Sequence, residues 1–279
     1  MPPPSELPRR ITSLQNESVK FIRALDMRKA RRESGLFVAE GASVLLTARE
    51  HGWAPKTLVL GPEAVANAAT RSLTAWAQSS QAEILDVAAP VLEKLAAKEN
   101  PQSVMAVLSQ RWLEAPDPTK ADSAYRGRDA LWLALEEVRD PGNLGTIIRT
   151  ADAVGAAGII LVGQTCDPYS REAVRASMGS IFAVPLVRLE QAAFLALAGG
   201  WTGDVAGTHL SGKLDYRAAS YKAPVLLVMG SEGSGMSEAT AAACNKLVRI
   251  PMAGRLDSLN LAVATALMLY EIRRPGLKL

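Results

Sequence analysis

At 279 residues the chain can form one large domain or two ordinary ones, and 48% hydrophobic with 21% charged residues is the balance of a soluble globular protein. Two cysteines, Cys166 and Cys244, are too few for a disulfide framework; "MPPPSELPRR" lacks the apolar core of a secretory signal, and no apolar run approaches the roughly 20 residues of a membrane helix. The net charge of +3 resides in Met1–Arg128, with 17 Lys and Arg against 14 Asp and Glu, whereas Asp129–Leu279 balances 14 against 14. These properties argue against a secreted disulfide scaffold and a helical membrane protein. They predict a cytoplasmic enzyme or binding protein whose N-terminal half can meet a polyanion.

The N-terminal region reads as a small α/β domain. "SLQNESVKFIRALDMRKARRESG" predicts one helix, with Val19, Ile22 and Leu25 on its apolar side, Arg28, Lys29, Arg31 and Arg32 on the other, and Gly35 as its stop. "LFVAEG" predicts a strand and "ASVLLTAREHG" a helix ending at Gly52. "KTLVLG" (strand), "AVANAATRSLTAWAQSS" (helix), "AEILDVA" (strand), "PVLEKLAA" (helix with Pro at its first turn) and "SVMAVLSQ" (strand) complete this region. Residues 113–128, with two prolines and no periodicity, read as a linker between domains at 10–112 and 129–279.

The second domain opens with a βαβ unit: strand "ALWLALEEV", tight loop, helix "GTIIRTADAVGA", strand "GIILV". A helix at "REAVRASMGSIF", a strand at "AVPLVRL", a helix at "QAAFLALAGG" and strands at "WTGDVAGT" and "APVLLVMG" follow. The chain closes with helix "SEATAAAC", strand "KLVRIPM" and the long helix "SLNLAVATALMLYEIRR". Ligands of such folds sit at the carboxyl ends of the strands, and three loops fall there: "RDPGNLGTIIRT" (139–150), "VMGSEGSGMS" (228–237) and "RIPMAGRLDSLNLAVA" (249–264). Their glycines permit close backbone approach.

Taken together and in this order, the three loops resemble the motifs of the SpoU-type (TrmH-like) RNA ribose 2'-O-methyltransferases of the SPOUT superfamily. The resemblance covers Asp129–Arg274 through N-x-G-x-x-x-R-T, G-S-E-G-x-G and I-P-M-x-G…S-L-N. "F-V-x-E-G" at Phe37–Gly41 is similar to the ribosomal-protein-like substrate-binding domain often joined to it. The resemblance implies a parallel sheet with a deep trefoil knot, which physical rules alone would never suggest. It also implies a homodimer packed through the knotted domain, and S-adenosylmethionine as methyl donor. The donor would contact Gly230, Ile250 and Leu259, with Thr208 and Met252 assigned to the same site. Arg149, Asn143, Glu232, Ser258 and Asn260 would carry catalysis.

Methyl transfer from a sulfonium to a ribose hydroxyl is an in-line displacement in which positioning supplies much of the rate. A guanidinium keeps its proton in proteins, so Arg149 reads as pinning an RNA phosphate and stabilising alkoxide character, with a phosphate or water taking the proton. A surface pair with Asp152 or Glu136 is its bland alternative. Asn143 orients Arg149, binds the ribose or simply shapes a turn; Glu232 organises the site or is a solvated loop carboxylate; Ser258 and Asn260 flank donor and target or cap the closing helix. Ala262 replaces the serine of S-L-N-x-S, so that hydroxyl is absent.

Other signals fail. "GTHLSGKL" nearly spells a P-loop, but Leu214 cannot ligate Mg²⁺. "GSEGSG" lacks the dinucleotide spacing, and His51 and His209 with two distant cysteines offer no metal site or His-based triad. Arg28, Lys29, Arg31 and Arg32 are candidate phosphate contacts. Structured RNA, ribosomal in preference to transfer RNA, is the expected substrate. A tRNA 2'-O-methyltransferase, a catalytically silent RNA-binding or ribosome-assembly protein, and a methyltransferase for protein or small molecules are the competing readings.

Overall fold

A computed structural model of the chain describes residues 10–64, 67–96, 102–119, 130–255 and 258–277. It divides into two units, Met1–Gln110 with Tyr169–Phe182, and Arg111–Pro168 with Ala183–Leu279. The sequence boundaries keep 169–182 with the second domain, whereas in the structure this stretch packs as part of the first unit. The linker expected at 113–128 is described only as far as Thr119, and Leu113 forms a parallel bridge to Val187.

The first unit is built on a four-stranded sheet in the order β1-β4-β2-β3. These strands are β1 (Leu36–Glu40), β2 (Pro55–Leu60), β3 (Glu83–Asp86) and β4 (Val104–Ser109). Strand β4 runs antiparallel to β1 and β2, and β3 is parallel to β2. Helices α3 (Ala42–Glu50), α4 (Ala68–Ser79) and α5 (Ala89–Ala96) connect them. Val19, Ile22 and Leu25 bury against Val38, Val59, Leu85 and Leu95 in one core cluster. The stretch from Tyr169 to Phe182 holds α7 (Arg171–Ala176) and a 3-10 turn. Tyr169 packs 4.6 Å from Phe37 and Phe182 5.1 Å from Trp53, while the Trp53 indole donates to the Phe182 carbonyl at 3.0 Å. Arg171 pairs with both Asp26 and Glu40. Aromatic packing and a shared guanidinium therefore hold this distant stretch within the unit.

The single N-terminal helix expected from the periodicity is two helices, α1 (Glu17–Ala24) and α2 (Arg28–Ser34). Arg31 explains the break. It is 4% exposed, and its Nη1 donates to the carbonyls of Leu25 at 2.8 Å and Asp26 at 2.9 Å, satisfying groups that a continuous helix would have used. A guanidinium so engaged is not a phosphate contact, so Arg31 leaves the candidate RNA set; Arg28, Lys29 and Arg32 are exposed.

The second unit is a seven-stranded sheet in the order β7-β6-β5-β10-β8-β11-β9, with every pair parallel. Its strands are β5 (Leu131–Glu136), β6 (Gly158–Val162), β7 (Leu186–Leu189), β8 (Val205–Thr208), β9 (Leu214–Asp215), β10 (Val225–Met229) and β11 (Lys246–Arg249). Strands β5, β6 and β10 are buried along their whole length, as parallel strands covered on both faces must be, which is why they read as unbroken apolar runs. Helices α6 (Pro141–Ala153), α8 (Gln191–Gly199), α9 (Glu238–Ala243) and α10 (Leu261–Arg273) flank it. The rejected P-loop, Gly207–Leu214, runs from the end of β8 through a turn into β9, with no helix after it.

Helix α6 starts earlier than expected. "PGNL" is its first turn, with Pro141 at a position needing no N–H and the Asp140 side chain accepting from the Asn143 N–H at 2.6 Å. Asn143 is thereby a helical residue beside the carboxyl end of β5 rather than part of a loose loop.

Candidate active site

Because β5, β10, β8 and β11 are parallel neighbours, the four segments leaving their carboxyl ends meet along one edge of the sheet. Those after β8, β10 and β11 enclose a cavity of about 310 Å³, within the range of small-molecule sites, and the segment after β5 joins them through Glu232. All five residues expected at the cofactor line it: Thr208, Gly230, Ile250, Met252 and Leu259. Ser258 and Glu232 line it too. The loop after β10 folds back on itself, with Ser231 and Gly235 exchanging backbone bonds of 3.0 and 3.1 Å. A Cβ on Gly230 would fall 2.0 Å from the Gly235 carbonyl carbon, so only glycine permits this closure. The backbone of this loop lines the cavity together with Met229, Met236, Ile250, Met252 and Leu259, apolar groups between which a flat adenine fits.

Glu232 links this loop to α6. Its carboxylate accepts from the N–H groups of Arg139 (3.1 Å) and Asp140 (3.2 Å) and from the Asn143 amide (3.2 Å). Partial burial opposes ionisation, but bonds from its own N–H, those of Arg139 and Asp140 and the Asn143 side chain outweigh it and hold the carboxyl below its usual range. With the folded value depressed, the stabilisation is complete above the ordinary carboxylate range and lost as pH falls through the folded value. At neutral pH Glu232 is an anchor, not a proton acceptor.

The relay continues. The Asn143 Oδ1 accepts from the Asn260 amide at 2.9 Å, and the Asn260 Oδ1 caps α10 by accepting from the N–H groups of Ala262 (2.9 Å) and Val263 (3.3 Å). Asn260 is thus both a helix cap and a partner of the site. Ala262 is buried under that cap. Arg149 stands apart: it is exposed on α6, and among the described residues no carboxylate, Asp152 and Glu136 included, lies within ion-pair distance of it.

Sequence reading missed Glu136. Its carboxylate, 4% exposed at the end of β5, accepts from the Ser237 N–H (2.8 Å), the Ser237 hydroxyl (2.6 Å), the Thr240 hydroxyl (2.7 Å) and the Gln191 amide (3.0 Å). It fastens the far end of the cavity loop where α9 begins. Glu136→Ala strands these donors, so it should lower stability by about 3 kcal/mol in a denaturant titration. Glu136→Gln, which keeps the acceptor oxygen, should lose less.

Both cysteines are held as neutral thiols. Burial, with the charges of Glu232, Asp140 and Asp167, pushes the Cys166 thiol up to about 12; burial and Glu136 do the same for Cys244, also to about 12. Among the described residues no group of His, Cys, Asp and Glu could hold a metal ion.

Parallel strand ends, a glycine-closed loop and a polar relay at the rim define an α/β enzyme that works with a nucleotide-like cofactor. The chain belongs to the SpoU rRNA methylase family, which matches residues 130–270; residues 16–106 match the MRM3-like substrate binding domain. Membership makes it an RNA methyltransferase with S-adenosylmethionine as donor, and its fold implies the trefoil knot. Over 277 residues it is 34% identical to a 23S rRNA (uridine(2479)-2'-O)-methyltransferase of Streptomyces viridochromogenes, covering 95% of this chain and 92% of that protein. An AdoMet-bound rRNA methyltransferase from Sinorhizobium meliloti superposes with a TM-score of 0.86 at 43% identity, over 97% of this chain and 99% of that one. The SpoU methyltransferase AviRb from Streptomyces viridochromogenes, in complex with AdoMet, gives 0.80 at 32%, covering 94% and 98%.

Proposed function

We propose that this protein transfers a methyl group from S-adenosylmethionine to a ribose 2'-hydroxyl of ribosomal RNA. The observation that carries the reading is the enclosure of one cavity by the segments after β8, β10 and β11, with the first motif loop tied to its rim by the Glu232–Asn143–Asn260 relay across 89 and 117 residues of sequence. The donor supplies a methyl group activated on a sulfonium. The protein's own residues bind and orient. Thr208, Gly230, Ile250, Met252 and Leu259 hold the donor; Asn143, Asn260 and Ser258 position the ribose; Glu232 fixes Asn143; and Arg149 binds the RNA phosphate beside the target and stabilises charge developing on the hydroxyl oxygen.

The test uses purified protein, radiolabelled S-adenosylmethionine and ribosomal RNA lacking the modification, beside transfer RNA. Label should enter ribosomal RNA at one linkage that resists alkali, because a methylated 2'-oxygen can no longer attack its phosphate. Label in transfer RNA alone would reassign the substrate. Donor binding without transfer to any RNA would leave the silent RNA-binding reading.

Arg28, Lys29 and Arg32 are the phosphate contacts of the first unit in this reading. Replacing all three by Ala should weaken RNA binding and reduce the slope of log affinity against log salt by about 2, as measured by filter binding across a salt series.

We also infer a homodimer through α10, in the cytoplasm where ribosomal RNA is modified. Leu261, Met268 and Leu269 bury one side of α10, yet Val263 and Tyr270 are each 50% exposed and Leu267 37%. A helix apolar on both sides needs cover on both. These residues form a shallow apolar surface reaching Asn143 and Asn260, so a second copy seated there would border the relay. Leu267→Asp should give a monomer in sedimentation velocity while leaving the fold intact. Among the described residues no helix is long and apolar enough to cross a membrane.

A further inference from the structure

The donor cavity also takes in residues outside the three motif loops, one of them a histidine. His209 follows β8 and lines the cavity with Thr208 and Leu210. Its backbone is pinned to β11: the His209 N–H donates to the Val248 carbonyl at 3.0 Å, and the Gly212 N–H returns to the His209 carbonyl at 2.9 Å. A Cβ at Gly212 would lie 2.8 Å from the Val248 carbonyl, so the turn closes tightly against the strand.

The ring is held as well as the backbone. The Ser211 N–H donates to the His209 Nδ1 at 3.2 Å, and the Ser211 hydroxyl lies 2.6 Å from the same atom. A backbone N–H can only donate, so Nδ1 is the acceptor and the neutral imidazole carries its proton on Nε2. Among the described residues no hydrogen bond engages Nε2. A fixed ring with an unused donor, in a cavity wall that also carries the polar residues Thr208, Glu232 and Ser258, is the arrangement of a ligand contact rather than of packing.

We propose that His209 binds the methyl donor directly, giving its Nε2–H to an acceptor oxygen of the bound molecule, either a ribose hydroxyl or the amino-acid carboxylate. The inference rests on the donor site proposed above. It adds a contact from the segment after β8, and it assigns Ser211 the task of setting the tautomer.

The probes are S-adenosylhomocysteine, which has both oxygen classes, and 5'-methylthioadenosine, which keeps the ribose and lacks the carboxylate. Both are titrated calorimetrically into wild-type protein, His209→Ala and His209→Gln, with unliganded melting curves showing that the variants fold. His209→Ala should weaken S-adenosylhomocysteine about tenfold, the loss of one good hydrogen bond. His209→Gln, whose side-chain amide replaces the Nε2 donor, should recover to within about threefold. Equal weakening of 5'-methylthioadenosine assigns the bond to the ribose, and unchanged 5'-methylthioadenosine assigns it to the carboxylate. Unchanged affinity for both probes in His209→Ala overturns the inference, as does a Gln variant as weak as the Ala variant. Wild-type protein that binds neither probe overturns the donor site itself.

Discussion

Arg149→Ala is expected to lower the methylation rate by roughly 10²–10³-fold, the cost of removing a group that stabilises charge only as the reaction proceeds. Donor affinity should not change, because Arg149 is not among the residues lining the cavity. The two readouts together identify its role. Arg149 is six residues beyond Asn143 on α6, about 9 Å along the axis and on another side of the helix, so it does not build the relay. Its exposure and the absence of a carboxylate partner among the described residues leave the guanidinium open to a phosphate. Arg149→Lys keeps the charge but loses the planar fork, and should recover only part of the rate. Full activity in Arg149→Ala, by single-turnover methylation of ribosomal RNA, would make this residue a solvated surface cation.

Gly230→Ala should act at the other step. The added methyl would lie 2.0 Å from the Gly235 carbonyl carbon and 2.1 Å from the Met236 nitrogen. Both obstacles are main chain, so no rotamer change relieves the clash, and the loop from 231 to 235 must open. Opening displaces Glu232 and so releases Asn143. Calorimetry with S-adenosylhomocysteine should show at least about a hundredfold loss of affinity, and thermal unfolding a destabilisation of about 1–3 kcal/mol. Gly230→Ala therefore loses the donor, whereas Arg149→Ala binds it and fails to transfer. Retained donor affinity in Gly230→Ala would place the cofactor elsewhere.

Burial of parallel strands is local information. "LWLAL", "GIILV" and "VLLVM" are apolar at every position because both faces of their sheet are covered, and each is a strand within a residue or two of its expected ends. The motif loops were legible for a related reason: a loop at a carboxyl strand end must bring backbone close to a ligand, and glycines and Asn at fixed spacing record that need. Two local readings failed where a side chain competed with periodicity. Asp140 caps a helix that begins at Pro141, and the buried Arg31 takes the Leu25 and Asp26 carbonyls just past the end of α1.

By itself, then, the sequence determined the alternation of elements, the three loops that carry chemistry and, through their order, the family. Tertiary structure alone decided the strand order that seats β10 between β5 and β8, the packing of Tyr169–Phe182 in the first unit, the anchoring of the cavity loop by Glu136, and the bonds from Asn143 to Glu232 and Asn260 across 89 and 117 residues of sequence. Periodicity reports which side of an element avoids water. It carries no information on which distant donor will meet a given carboxylate, because that depends on the register and order of strands that only the folded chain sets.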